Sequence, residues 1–131
     1  MPICIPTRRR NKYGAKAALV NGIRFASQKE AARYLELVLL ERAGEIWDLE
    51  LQPRFPLHAP STSGYAMRAA KALAEGGTFL IGHYVADFKY RDANTVPYVV
   101  EDVKSPATRT ALYRWKKRHL MAQYGIDIKE V

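Results

Sequence analysis

Hydrophobic and polar positions alternate along this chain in runs that change period several times. The stretch ALVNGIRFAS, residues 18–27, holds two short β-prone runs around Asn21-Gly22 and predicts a hairpin with a two-residue turn. Apolar positions then recur at helical spacing through Ala31, Tyr34, Leu35, Val38 and Leu39. Ser27 before them is a good N-cap, Glu30 three residues on completes a capping box, and Gly44 marks the stop. Residues 45–57 return to alternation through Ile46, Leu49, Leu51 and Phe55, which predicts a strand with an irregularity around Pro53. In residues 58–79, HAPSTSG is loop-like, YAMRAAKALAE has two or three turns' worth of helical character, and Gly76-Gly77 breaks it, so the segment reads as an insert or mobile flap. A strand ending near Tyr90 (TFLIGHYVADFKY), a turn at RDANT and a partner strand in VPYVVEDVKS, residues 96–105, follow. A second helix is predicted over 105–125, with Pro106 near its start and Gly125 at its end, and IDIKEV closes the sequence as a last strand.

The fold class is therefore α/β, in the sense of an α+β mixed sheet, with the order helix, three strands, helix, strand. Residues 1–16 form a basic arm around Arg8, Arg9, Arg10, Lys12 and Lys16, and residues 17–131 a single domain. No run of apolar residues is long enough to span a membrane.

The strand at 96–105 begins apolar and ends charged. Alternation sends Tyr98, Val100, Asp102 and Lys104 to one face, and Val99, Glu101 and Val103 to the other. The preceding strand carries Asp87, and a register symmetric about Asn94 or Thr95 sets Asp87 close to opposite Asp102. Like charges facing across a ladder destabilise a sheet, so this pair calls for a shared proton, a nearby cation or a bound metal. Lys104, two residues from Asp102, is one such cation, and a plain ion-pair cluster at a strand end is the simplest account of both. Glu30 adds a third acid in the first turn of the first helix, where capping Ser27 is already a sufficient role. Taken together, Glu30, Asp87 and Asp102 supply the oxygen ligands that a hard divalent cation such as Mg²⁺ takes.

Charge narrows the partner. Lys and Arg number 21 against 13 acids, a net charge of +8 on 131 residues. Such an excess fits a polyanion, most often nucleic acid, against the alternative of a protein that is merely basic. Cys4 is the lone cysteine, which excludes an intrachain disulfide and fits a reducing, cytoplasmic setting. No zinc spacing, phosphate-binding glycine loop or serine elbow is present, and His83 and His119 are too scattered to make a metal site with Cys4.

An acid on the first helix, a lone Asp on one strand and Asp102-Val103-Lys104 on the next resemble the PD-(D/E)XK nuclease superfamily. The runs FASQKEAARYLEL, LELQPRF, YVADFKY and VEDVKS look like its small phage-borne branch, related to Holliday-junction resolvases and other structure-specific endonucleases. The "PD" element stands here as Ala86-Asp87, without the proline. The resemblance implies a restriction-endonuclease-like core and a Mg²⁺-dependent (or Mn²⁺-dependent) DNA endonuclease acting on branched DNA, work that usually takes a homodimer. By matching position, Asp87 and Asp102 are the principal metal ligands, with the Val103 carbonyl and Glu30 completing the shell. Lys104 orients or helps activate the attacking water and stabilises charge on the phosphate.

Several further residues are candidates for holding DNA. The second helix carries Arg109, Arg114, Lys116 and Lys117, and Lys117 shares a helical stripe with Tyr113, Leu120, Met121 and Tyr124, so one of the two adjacent lysines should approach the sheet. Arg8, Arg9 and Arg10 make a second phosphate contact, and Arg68 and Lys71 in the insert a third. Gln52 is either a polar group lining the scissile phosphate or a strand-end hydrogen bonder. Glu101 lies on the opposite face and stands outside the catalytic set. The rival function is a nucleic-acid-binding module that retains the fold without the chemistry. A packaging accessory leaves the four charged residues unexplained.

Overall fold

The protein is described here by a computed structural model over residues 15–60 and 78–131. The arginines at 8–10 and the basic residues Arg68 and Lys71 lie outside the described residues. The hairpin forms as the sequence predicts: β1 (Ala18–Val20) pairs with β2 (Ile23–Phe25), and Asn21 and Gly22 make the turn at φ 50° and 77°. Both turn positions need positive φ, which asparagine and glycine supply at least cost. Helix α1 (Gln28–Arg42) follows, with the Ser27 side chain accepting from the Glu30 N–H at 3.1 Å and Gly44 left-handed just past its end.

Two long extended segments come next, and both bend at the same level. The first consists of β3 (Ile46–Leu51) and β4 (Arg54–Pro60), the second of β5 (Thr78–Val85) and β6 (Phe88–Asp92). The continuous strand expected over 78–90 is thus broken at Ala86-Asp87, and the two ends of the insert expected over 58–79 are strand instead, with His58, Ala59 and Pro60 paired to Leu80, Phe79 and Thr78; residues 61–77 of it lie outside the described residues. Pro53 has no N–H to give the ladder, which explains the break in the first segment. Across the bend the Gln52 N–H reaches the Asp87 carbonyl at 2.9 Å and the Ala86 N–H the Pro53 carbonyl at 3.1 Å. These bonds hold two bent strands as one antiparallel ribbon.

The main sheet runs β3-β6-β7-β8, with β7 (Val99–Asp102) and β8 (Lys129–Glu130) parallel and the other pairs antiparallel. Between them lie a 3₁₀ turn, Pro106–Thr108, and helix α2 (Ala111–Tyr124). The second helix begins later than its sequence suggests because Thr110, not Ser105, is its N-cap; the Thr110 hydroxyl accepts from the Tyr113 N–H. Gly125, at φ 67°, ends it.

Each face of β7 enters a different core. Val99 packs with Phe25, Ala31, Leu37, Ile46, Phe88 and Tyr90 under α1, and Val100 with Phe55, Leu57, Tyr84, Tyr113, Leu120 and Ile128 under α2. Fully burying side chains of this size contributes about 1.5–3 kcal/mol each. The stripe on α1 is shifted from the expected one: Ala31 and Leu37 are buried, whereas Leu35 and Leu39 are exposed. On α2, Tyr113 and Leu120 are buried but Met121 and Tyr124 stay partly exposed, Tyr124 donating its hydroxyl to the Pro56 carbonyl at 2.7 Å. Among the described residues no helix is long and apolar enough to cross a membrane.

Candidate functional site

The end of β7 is where the predicted site residues meet. Phe88 is registered with Glu101, so one step further places Asp87 opposite Asp102, as the symmetric register requires. Asp87 is outside the strand, in the bend, and its N–H is shared between two acceptors, one of them the Glu101 carbonyl at 3.2 Å. Its N–H donates to Asp102 Oδ1 at 3.0 Å, while its own Oδ2 accepts from the Val103 N–H at 2.7 Å. The two aspartates are thereby locked to each other's strand by a reciprocal pair of bonds. Gln52, held at φ 50° and exposed, fixes the Asp87 carbonyl from the other side through its N–H; its backbone therefore serves the site. A left-handed non-glycine residue costs on the order of 1 kcal/mol or more.

Asp102 is almost wholly buried, with 1% exposure. Its Oδ2 accepts a hydrogen bond from the Tyr84 hydroxyl and lies 3.7 Å from Lys104 Nζ. Sequence reasoning missed Tyr84. In an unbroken strand Tyr84 and Asp87 would face opposite ways, and only the kink between them brings both onto Asp102. Burial raises the Tyr84 hydroxyl pKa, and Asp102 raises it further, so the phenol stays a donor. Lys104 also lies over the Tyr113 ring, 4.5 Å from its centre.

Glu30 reaches this group from α1. It is buried, its carboxylate accepts from the Ala26 N–H at 3.2 Å, and so it does the work of a helix cap. It is also electrostatically coupled to the strand acids. Burial, then repulsion from Asp102, raises its pKa, with Ala26, Ser27 and Lys104 opposing. Asp87 is pushed up to about 7, by burial first and then by Asp102 and Glu30, against the Val103 N–H and Lys104. Asp102 is raised by burial in spite of Tyr84, Lys104 and the Asp87 N–H. Three carboxyls and one amine therefore share one region, and the acids outnumber the cation.

Among the described residues no three His, Cys, Asp or Glu side chains close around a point as a finished metal cage. In kind, the donor set still fits a hard divalent cation: it is all oxygen, mutually repelling, and Asp87 Oδ1 has no hydrogen-bond partner among the described residues. Lys29 braces the same corner, its Nζ donating to the Lys104 carbonyl at 3.0 Å and the Val131 carbonyl at 2.9 Å.

The candidate DNA contacts on α2 separate. Both adjacent lysines turn inward, Lys116 to the His83 carbonyl at 3.0 Å and Lys117 to Glu130 at 3.1 Å. Arg109 also pairs with Glu130, at 3.0 Å. This acid lies beside Asp102 in the β7–β8 register, and it takes two of the four expected phosphate contacts. Arg114 is exposed and makes no ion pair among the described residues. His119 Nε2 bonds the His58 carbonyl at 2.7 Å.

No curated protein and no solved structure matches this chain. A family model does match residues 10–130, nearly the whole sequence and every residue of the site, and the chain belongs to the family it describes, the protein of unknown function family DUF1064.

Proposed function

We propose that the protein is a divalent-metal-dependent DNA endonuclease of the PD-(D/E)XK type, acting on branched DNA. The observation that carries this is the convergence of Glu30, Asp87 and Asp102, from a helix, a bend and a strand, beside Lys104 in a domain of net charge +8. The element order, with two bent strands counted once each, supports it: helix, three strands, helix, strand, in a sheet ordered first to fourth. Burying three acids next to a single lysine costs stability unless something of opposite charge is held there.

Asp87 and Asp102, with the Val103 carbonyl and Glu30, hold Mg²⁺ or Mn²⁺. Such a cation supplies positive charge against the scissile phosphate and lowers the pKa of water. Tyr84 fixes the Asp102 carboxylate, and the reciprocal bonds between the two strands fix Asp87. Lys104, aimed by Asp102 and resting on Tyr113, orients the attacking water and offsets charge that builds on the phosphate oxygens. Losing Lys104 should therefore harm cleavage more than binding.

The test is incubation of wild type and Asp102→Ala with branched, duplex and single-stranded DNA, with Mg²⁺ or with EDTA. Metal-dependent cutting by wild type alone is expected. Equal cutting by both proteins refutes the assignment. Clean binding by both without cutting in any metal favours a non-catalytic nucleic-acid-binding module, a reading that draws on the unfinished closure of the carboxylates.

A further inference from the structure

Lys104 and Tyr84, already part of the site, also line a pocket of about 370 Å³ that extends away from the acids along Val85, Thr108, Thr110, Leu112 and Lys116. That volume lies within the range of sites that take a small ligand or a single nucleotide unit, about 300 Å³ upward. Its lining is of two chemical kinds. Val85 and Leu112 are apolar and largely open, 52% and 60% exposed, and Tyr84 and Tyr113, both buried, also line it. Lys104, Lys116, Thr108 and Thr110 line it too, Lys116 one helical turn on from Leu112. Lys116 spends one of its N–H bonds on the His83 carbonyl and keeps two for a ligand.

A continuous duplex has little use for such a shape. Its phosphates can reach the lysines, but its bases are stacked face to face and offer no flat apolar surface to Val85 and Leu112. A nucleotide out of the stack offers both parts at once, a flat apolar base for Val85 and Leu112 and a phosphate for the amines and hydroxyls. The net charge of +8 favours the same polyanion.

We infer that this pocket receives one unpaired nucleotide next to the bond to be cut. The inference rests on the nucleic-acid reading of the site and names its substrate class: DNA with an extrahelical or unpaired nucleotide at the break point, as at a branch, flap or bulge. The unpaired base costs less to seat because it is already out of the stack.

The experiment compares three DNAs of one sequence: a continuous duplex, the duplex with one unpaired 2-aminopurine nucleotide, and the duplex with an abasic residue at that point. Binding is measured by anisotropy in EDTA, base stacking by 2-aminopurine fluorescence, and cutting in Mg²⁺. Wild type and Leu112→Trp are compared, the latter filling the pocket from an exposed position outside the metal site. Wild type should bind the unpaired base about tenfold more tightly than either other DNA, with a fluorescence change. Leu112→Trp should lose that preference and keep its affinity for duplex.

Equal affinity of wild type for all three DNAs overturns the pocket assignment even if all are cut, and the nuclease reading then stands alone. Selective binding that Leu112→Trp abolishes, without cutting in any metal, supports the pocket and removes the nuclease. Failure to bind any DNA overturns both. An unpaired-base preference that Leu112→Trp leaves unchanged, in a variant of unaltered circular dichroism, also overturns the pocket.

Discussion

Glu101 and Asp102 are consecutive residues of β7, both all but inaccessible, and the protein treats them in opposite ways. Glu101 faces α1. Arg33 grips it through Nε at 2.5 Å and Nη2 at 3.0 Å, the Tyr90 hydroxyl donates at 2.9 Å, and Lys129 stands 3.7 Å away. Every demand of that carboxylate is met from within the chain, and Arg33 is held firmly protonated by it. Asp102 faces α2. It has one lysine at 3.7 Å, and its other electrostatic neighbours include two more acids. Asp102 too has both oxygens hydrogen-bonded, by the Asp87 N–H and the Tyr84 hydroxyl, so the difference is one of charge: a guanidinium and an ammonium face Glu101, and one ammonium faces Asp102. Position along the sequence hardly separates the two residues, and only the strand face does.

The largest effect that sharpens this comparison is on chemistry. Asp102→Asn keeps shape but removes a charge and one of the two acceptor oxygens that the Asp87 N–H and the Tyr84 hydroxyl use, so cleavage should fall by more than about a hundredfold. Its unfolding free energy should change little, because relief of repulsion from Asp87 and Glu30 offsets the lost acceptor. Denaturant unfolding beside a cleavage assay checks both, and a large loss of stability with activity intact would reverse the roles given to the two acids.

Glu101→Ala should do the opposite. It leaves the Arg33 guanidinium without its buried partner, at a cost of about 3–5 kcal/mol. Activity per folded molecule should survive. A variant as stable as wild type would show that Arg33 simply turns to Glu36, which already lies 2.7 Å from its Nη1.

A smaller effect is expected with pH. The Asp87 carboxyl, ordinarily near 3.8, is raised to about 7 in the fold. An acid with a raised folded-state pKa contributes stability that is fully present below its unfolded value and is lost as pH rises through the folded value. Metal-free protein should therefore lose stability between about pH 4 and pH 8, on the order of 1–2 kcal/mol after allowing for partial exposure. Asp87→Asn should flatten that slope. Mg²⁺ at tenfold over its Kd should restore about 1.4 kcal/mol to wild type at pH 8 and little to the variant, read as a shift of a few degrees in Tm.

The smallest effect should come from the surface of α2. Arg114→Ala, at an exposed position with no ion pair among the described residues, should weaken DNA binding several-fold and reduce the salt slope by about one. Arg109→Ala should instead act mainly through Glu130, showing in stability more than in the salt slope.

Local signals in the sequence set much of this structure. Asn21-Gly22, Ser27 and Gly125 act through their own backbone preferences, which need no distant partner, and the elements they delimit form where those preferences place them. Alternation in β7 likewise separates Glu101 from Asp102, and the short turn sets Asp87 against it, so the acids and Lys104 were legible as a group. What alternation misses are the places where the period breaks. The bends at Gln52-Pro53 and Ala86-Asp87 answer each other across the ribbon, and their pairing turns Tyr84 onto Asp102. Glu130 was equally hidden, because its capture of Arg109 and Lys117 depends on β8 lying beside β7. Sequence determined which residues carry charge and which face each would take within an unbroken element. Tertiary structure decided which charges are cancelled, because cancellation depends on distances between elements that no local preference encodes.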